Sequence, residues 1–144
     1  MRNRFDRQLE ELNANMIQMG NDISKAIERA IDALQTLDVK KAKNAVEADE
    51  GINDIERKIE DLCFKLLLSQ QPVARDLRVI SAALKMVTDM ERIGDNAADI
   101  ADVTIHLART GYKEGLCHIQ KMATETTYMA VSYTHLRAHE TGAY

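Results

Sequence analysis

The sequence predicts an all-α protein: an antiparallel three-helix bundle followed by the start of a fourth helix. Apolar residues recur at three- and four-residue steps along most of the 144 residues, which is the period of an amphipathic helix. Only short polar segments separate these stripes, so consecutive helices should run antiparallel. One proline, six glycines and 4% aromatic residues also suit long helices better than a sheet, which favours aromatic and β-branched residues.

The bundle is expected to occupy residues 1–110, with helices over about 5–36, 39–69 and 73–107. The first stripe comprises Leu9, Leu12, Met16, Met19, Ile23, Ile27, Ala30 and Leu34. The second comprises Ala42, Ala45, Ile52, Ile55, Ile59, Leu62 and Leu66. The third comprises Leu77, Ile80, Leu84, Val87, Ala98 and Ile105.

The breaks between these helices carry recognisable end signals. Asp38 is suited to cap the second helix, because its carboxylate can accept from a free backbone N–H. Pro72 fits the first turn of the third helix, and Gly111 is the expected stop after it. The sequence therefore defines where each helix of the bundle begins and ends.

A fourth helical pattern covers residues 111–131, starting near Glu114. It is weaker than the others, and we expect it to lack a partner within this chain. Its apolar residues Leu116, Ile119 and Met122 would then need cover, which predicts self-association, as a homodimer.

Residues 132–144 carry no helical stripe and are predicted to form a disordered tail. They also resemble the peptide produced when sequencing-adaptor DNA is translated at the end of a truncated gene. On that interpretation the tail is not native, His135 and His139 carry no function, and the true protein continues past Val131.

Composition excludes several classes of function. A formal charge of −4 gives no basic surface for nucleic acid, and a ligand of the many acids would be cationic. Cys63 and Cys117 form neither a metal-ligand pair nor a disulfide framework, and they are interpreted as buried free thiols. No apolar signal core or membrane-spanning run is present, so we expect a cytoplasmic protein that does not insert into the membrane.

Acidic residues break the pattern of the third helix. Glu91 falls on its predicted stripe, Asp95 lies one turn further along, and Gly94 lies between them. A core-facing carboxylate is costly unless a cation or donor meets it, and a glycine within a helix costs roughly 1 kcal/mol. Such departures from local rules are typical of functional sites.

A second acidic row lies on the second helix, where steps of four, three and four place its members on one face: Asp49, Asn53, Glu56 and Glu60. Asp99 and Asp102 extend the row of the third helix. If the two rows face one groove, their oxygens suit Mg²⁺, Ca²⁺, Mn²⁺ or iron. Alternatively, the acids are solvated or paired with arginines: Arg57, Arg75, Arg78 and Arg92.

Catalysis is not predicted. Carboxylate-bridged oxidases on four-helix bundles use a Glu-x-x-His step, and neither His106 nor His118 has a glutamate three residues before it. The sequence contains no glycine-rich phosphate loop after a strand, and no nucleophile with its base can be argued from it. We therefore expect a protein that is not an enzyme.

Three segments carry a resemblance to a known family. Residues 49–60 read DEGINDIERKIE, residues 70–78 read QQPVARDLR and residues 89–95 read DMERIGD. In this order and spacing they resemble the second-helix motif, the turn into the third helix and the acidic Glu-x-x-x-Asp signature of the PhoU proteins. The resemblance extends from about Phe5 to about Tyr128.

The resemblance implies a cytoplasmic helical protein of two similar three-helix bundles, of which this chain holds the N-terminal one. It implies metal on the acidic surface, as iron, manganese or magnesium, with Glu91 and Asp95 as the first ligands. The further candidates are Asp49, Asn53, Glu56 and Asp99. It also implies negative regulation of phosphate-starvation genes through contact with a phosphate ABC transporter ATPase and a phosphate-sensing histidine kinase.

Two other functions remain open from the residues alone. One is a metal-handling or redox protein on a carboxylate-bridged bundle, against which the missing Glu-x-x-His step counts. The other is a structural bundle whose acids are simply solvated. Metal-dependent stabilisation separates these two from each other, and turnover of Fe²⁺ with oxygen identifies the first.

Overall fold

The chain folds into four long helices. The computed structural model describes residues 2–69, 73–111 and 118–142, and it contains no strand within these ranges. The helices are α1 (Arg2–Thr36), α2 (Val39–Leu68), α3 (Ala74–Thr110) and α4 (Ile119–Gly142). The predicted all-α fold is confirmed. None of the described helices is long and apolar enough to cross a membrane.

The turn between α1 and α2 is fixed by one aspartate and one ion pair. The Asp38 carboxylate accepts a hydrogen bond from the backbone N–H of Lys41 at 3.1 Å, so the predicted cap is confirmed. The Lys41 ammonium lies 2.9 Å from Oδ2 of Asp32 on α1. These contacts hold the two helix ends together across a two-residue connection.

The ends of α2 and α3 follow ordinary capping chemistry. The Ser69 hydroxyl donates to the Leu66 carbonyl at 2.7 Å at the end of α2. Gly111 adopts a left-handed conformation with φ of 71°, and its N–H donates to the Leu107 carbonyl. Gly111 is thus the predicted stop, although α3 extends to Thr110. Pro72 lies outside the described residues.

The inward face of α3 is a regular seam of alternating three- and four-residue steps, as in a coiled coil. Its members are Ile80, Ala83, Val87, Met90, Gly94, Ala97, Ala101 and Thr104, and all are buried. The predicted stripe is confirmed at Ile80 and Val87, which are fully buried, and Leu84 and Ile105 pack partly buried against the core. It differs at Leu77, which is 40% exposed, because the seam is rotated from the predicted stripe towards small residues. Small residues form much of the true seam, so a pattern based on large apolar residues missed part of it.

Gly94 lies where α3 closely approaches α2. A Cβ atom at Gly94 would lie 3.3 Å from Cγ2 of Ile52 and 3.5 Å from Oδ1 of Asp49. This spacing is tighter than ordinary van der Waals contact, so a larger side chain would push the helices apart. By contrast, a Cβ atom at Gly51 meets nothing within 4 Å.

Helix α4 packs against α1, so the expectation that it lacks a partner within this chain is wrong. Ala123 is buried in the common core, and Ile119 packs partly buried against it. Met122 and Met129 remain more than 60% exposed on α4. Leu116 and Cys117 lie outside the described residues.

The backbone beyond Ser132 differs from the expected disordered tail, because α4 continues as a helix to Gly142. Extending an existing helix adds one hydrogen bond per residue fixed, whereas starting one is costly. The stretch contains no proline to stop that extension. The interpretation of residues 132–144 as non-native sequence stays a prediction.

We predict opposite effects for one substitution at two glycines. Gly94→Leu should lower the free energy of unfolding by about 1–3 kcal/mol, because the seam between α2 and α3 has no room for the side chain. Gly51→Leu should raise it by about 0.5–1 kcal/mol, because leucine favours the helix and meets open space. Urea denaturation measures both, and equal effects at the two positions would contradict the close approach.

Candidate metal centre

The face of α2 that meets α3 contains two carboxylates in an otherwise apolar seam. Its positions again alternate in steps of three and four: Ala42, Ala45, Asp49, Ile52, Glu56, Ile59, Cys63 and Leu66. The six other members are buried, whereas Asp49 and Glu56 are half-buried. A coiled-coil seam ordinarily excludes charge, so both carboxylates are held at an energetic cost.

The acids of α3 lie beside these two carboxylates. Glu91 and Asp95 are half-buried, one turn apart on the same side of Gly94, whereas Asp99 is exposed. Asp49 feels the charges of Asp95 and Asp99, and Glu56 that of Asp95. Earlier positions on α2 thus face later positions on α3, as in an antiparallel pair. The predicted acids therefore come together in one group, which we name the acidic cluster: Asp49, Glu56, Glu91, Asp95 and Asp99.

The environment of Asp49 opposes its negative charge. Burial raises the pKa of its carboxyl first, followed by the charge of Asp95 and hydrogen bonding with it; the charge of Asp99 adds less. Hydrogen bonding with Asn53 lowers the pKa and compensates in part. Among the described residues, Oδ1 of Asp49 is a buried oxygen without a hydrogen-bond partner.

Glu56 connects the cluster to Glu60, one turn further along α2. Burial raises the pKa of Glu56, and the charge of Glu60 and hydrogen bonding with it raise the pKa further. The charge of Asp95 acts in the same direction, whereas the guanidinium of Arg57 lowers the pKa. Glu60 therefore belongs to the cluster although the sequence analysis did not select it as a ligand.

Glu91 has the most perturbed carboxyl group of the cluster. Its pKa is raised from 4.5 to about 7, chiefly by hydrogen bonding with Asp95, then by burial and by the charge of Asp95. The charges of Glu56 and Asp49 contribute as well. Two carboxyl groups can share a hydrogen bond only when one keeps a proton, so the contact with Asp95 favours the protonated form of Glu91.

Pairing with arginine does not account for the cluster. Arg57 lies 3.7 Å from Asp54 on the exposed side of α2, and both side chains are about 70% exposed. The carboxyls of Asp49, Glu56 and Glu91 all have raised pKa values, whereas a close cation would lower them. The arginine-pairing alternative is therefore disfavoured at these three positions.

The residues present suit a hard cation. The cluster offers carboxylate and amide oxygens, which Mg²⁺, Mn²⁺ and iron accept, and a cation would relieve both the mutual repulsion and the unpartnered Oδ1 of Asp49. In the described part of the chain, no three His, Cys, Asp or Glu side chains are already arranged around a metal position. Binding therefore requires carboxylate side chains to rotate, which half-exposed side chains can do.

Other residues singled out from the sequence lie apart from the cluster or cannot act as ligands. Asp102 and His106 are exposed near the end of α3. Cys63 is buried, as predicted, and burial followed by the charge of Glu60 raises the pKa of its thiol to about 11. A protonated thiol is a poor metal ligand, so Cys63 is part of the core.

Comparison with known sequences identifies a family. The profile of the PhoU domain matches residues 16–104, more than half of the chain. A phosphate-specific transport system accessory protein PhoU homolog from Burkholderia sp is 35% identical over 131 residues, which are 91% of this chain and 55% of that protein. The homolog from Pseudomonas putida is 40% identical over 107 residues, covering 74% of this chain and 42% of that protein.

Comparison with solved structures agrees. The crystal structure of PhoU from Pseudomonas aeruginosa superimposes with a TM-score of 0.84 at 33% identity, covering 88% of this chain and 61% of the other. The chain spans about half the length of the curated relatives it matches. From the matched domain and from the shared helical fold that carries the acidic cluster, we conclude that the chain belongs to the PhoU family.

Proposed function

We propose that this chain is a metal-binding regulatory adaptor of phosphate uptake. The observation that carries the proposal is the placement of Asp49 and Glu56 in the α2 seam, facing Glu91 and Asp95. A protein gains nothing in stability from like charges held in a seam, so their placement favours a cationic ligand. The names of the relatives supply the process, which is phosphate-specific transport.

The metal would be held by oxygen ligands from both helices. Glu91 and Asp95 of α3 are the first candidates, because Glu91 is hydrogen-bonded to Asp95 and feels the charges of Glu56 and Asp49 on α2. The further candidates are Asp49, Asn53, Glu56 and Asp99. A bound cation would supply positive charge that draws α2 and α3 together; iron, manganese and magnesium all suit such ligands.

Regulation would proceed by protein–protein contact and not by catalysis. The cluster opens to solvent at Asp99 and at the half-exposed carboxylates, so a bound metal would change the charge of the surface that a partner meets. The proposed partners are a phosphate ABC transporter ATPase and a phosphate-sensing histidine kinase, with the starvation genes held off when phosphate is plentiful. We place this activity in the cytoplasm, on a homodimer.

Added metal should stabilise the chelator-treated protein. Ligand at a hundredfold excess over its Kd contributes about 2.7 kcal/mol when it binds the folded state alone, so the melting temperature should rise with Mn²⁺, Mg²⁺ or Fe²⁺. Glu91→Ala combined with Asp95→Ala should abolish the rise. Glu47→Ala combined with Glu50→Ala removes two exposed acids from α2 and should preserve it. Calorimetry and metal analysis measure these effects.

Three outcomes would contradict parts of this proposal. If added metal raises the melting temperature of both double variants equally, the metal binds outside the cluster. If no metal binds or stabilises the parent protein, the acids are only a charged face. Consumption of oxygen with Fe²⁺ would instead identify a redox protein.

Without metal, Glu91→Gln should stabilise the protein increasingly as the pH rises. The unfolded chain ionises Glu91 near pH 4.5 and the folded chain near 7, so folding takes up a proton between these values. The stability that Glu91 contributes is therefore present below pH 4.5 and is lost as the pH rises through 7. The free energy of unfolding of Glu91→Gln should therefore exceed that of the parent by an amount that grows across this window and then levels off. Because solvent screens the half-buried carboxyl, we expect this difference to reach only about 1 kcal/mol.

Urea titrations at several pH values measure this difference. Glu47→Gln, on the exposed side of α2, controls for the loss of one negative charge. An advantage of Glu91→Gln that stays constant from pH 4 to 8 would contradict the raised pKa.

Expression of the chain in a bacterium that lacks its own accessory protein tests the regulatory role. The expression of a reporter for phosphate-starvation genes should fall at high phosphate when the parent chain is present. It should stay high when the chain carries Glu91→Ala with Asp95→Ala. The Glu47→Ala, Glu50→Ala variant should repress like the parent. A reporter that stays high with folded, metal-loaded protein would refute the regulatory role while leaving metal binding intact.

A further inference from the structure

Exposed apolar side chains gather where α2 ends and α3 begins. We name this surface the α2–α3 tip; it comprises Phe64, Leu67, Leu68, Val73 and Leu77. Leu68 is 88% exposed, Phe64 54% and Val73 51%. The core of the same region is already filled by Cys63, Leu66 and Ile80, which are fully buried. The tip residues are therefore surplus to the packing of the bundle.

The register of the two helices places these side chains together. Ile52 of α2 packs against Gly94 of α3. Because the two helices are antiparallel, Leu68, sixteen residues after Ile52, is level with Arg78, sixteen residues before Gly94. By the same count Leu77 is level with Ser69. At 1.5 Å per residue, Phe64 lies about 6 Å from Leu68 along α2. Leu77 likewise lies about 6 Å from Val73 along α3. The tip residues thus lie at the same end of the α2–α3 pair.

The tip is cationic in an acidic protein. Lys65 and Arg78 are exposed beside it, and Arg75 lies in the first turn of α3. Helix α3 begins here at Ala74 without a side-chain cap from Val73, and the buried Asp76 lies in its first turn, at the positive end of the helix dipole. Asp61, one turn before Lys65, is a second nearby acid. The three cations exceed these two acids by one charge, whereas the chain as a whole carries −4.

We propose that the α2–α3 tip docks on the anionic headgroup surface of a membrane. Apolar side chains would enter the boundary between headgroups and acyl chains, while Lys65 and Arg78 would meet lipid phosphates. Exposed apolar side chains beside exposed cations are the combination that an anionic lipid surface accommodates. Two copies facing tip to tip would bring their cations together, which disfavours self-association here. Docking of this kind needs no spanning helix.

Co-sedimentation of the purified chain with vesicles tests this proposal. Vesicles of phosphatidylcholine with about one third phosphatidylglycerol should capture the protein, and vesicles of phosphatidylcholine alone should capture at least about tenfold less. Added salt should weaken capture, because the charges are exposed. Phe64→Ser with Leu68→Ser, and separately Lys65→Glu with Arg78→Glu, should each reduce capture about tenfold or more.

Met122→Ser with Met129→Ser is the matched control, because it removes two apolar side chains from α4 that are more than 60% exposed. It should bind vesicles like the parent, and unchanged melting temperatures would show that all variants fold. Absence of capture by the parent, equal capture by neutral vesicles, or equal loss in the control would each overturn the proposal. Light scattering that finds an oligomer broken by Phe64→Ser with Leu68→Ser would instead assign the tip to a second copy. Neither result bears on metal binding at the acidic cluster, which is tested separately.

Discussion

The close approach of α2 and α3 at Gly94 is the constraint on which the rest of the structure depends. Without a side chain at Gly94, Ile52 can pack against the α3 backbone, and the neighbouring Asp49 is drawn into the same seam. The small residues Ala97 and Ala101 continue this narrow spacing along α3. A tightly packed helix pair and a partly desolvated carboxylate are therefore consequences of one geometric feature.

That geometry places packing and electrostatics in opposition. Apolar burial along the seam holds the helices together, while Asp49, Glu56 and Glu91 are each repelled by acidic neighbours and keep their protons more tightly than free carboxyls do. Protonation relieves the repulsion at low pH, and a cation would relieve it at neutral pH. The proposed metal and the proton thus compete for the same site, which makes metal affinity dependent on pH.

The sequence was most informative where a residue acts through its own local chemistry. The cap at Asp38, the stop at Gly111 and the acidic rows could be predicted because each depends on spacing along one helix. The full α3 seam could not, since Gly94 and the alanines of that seam carry no strong apolar signal and their role depends on α2. The contact of α4 with α1 through Ala123 depends likewise on a surface distant in the chain.

The α2–α3 pair carries both proposed surfaces, and their order along the helices has a consequence. The acidic cluster lies in the middle of the pair, between Asp49 and Glu60 on α2, and the cationic tip begins at Phe64 on the next turn. Counted at 1.5 Å per residue from Phe64 on α2 and Leu77 on α3, Glu60 would lie about 6 Å and Asp95 about 27 Å from a membrane held at the tip. Only Glu60 falls within a Debye length of about 8 Å, so salt screens the membrane charge from the rest of the cluster. Metal loading of the cluster should therefore leave membrane docking nearly unchanged, because the two surfaces are separated along the same helix pair.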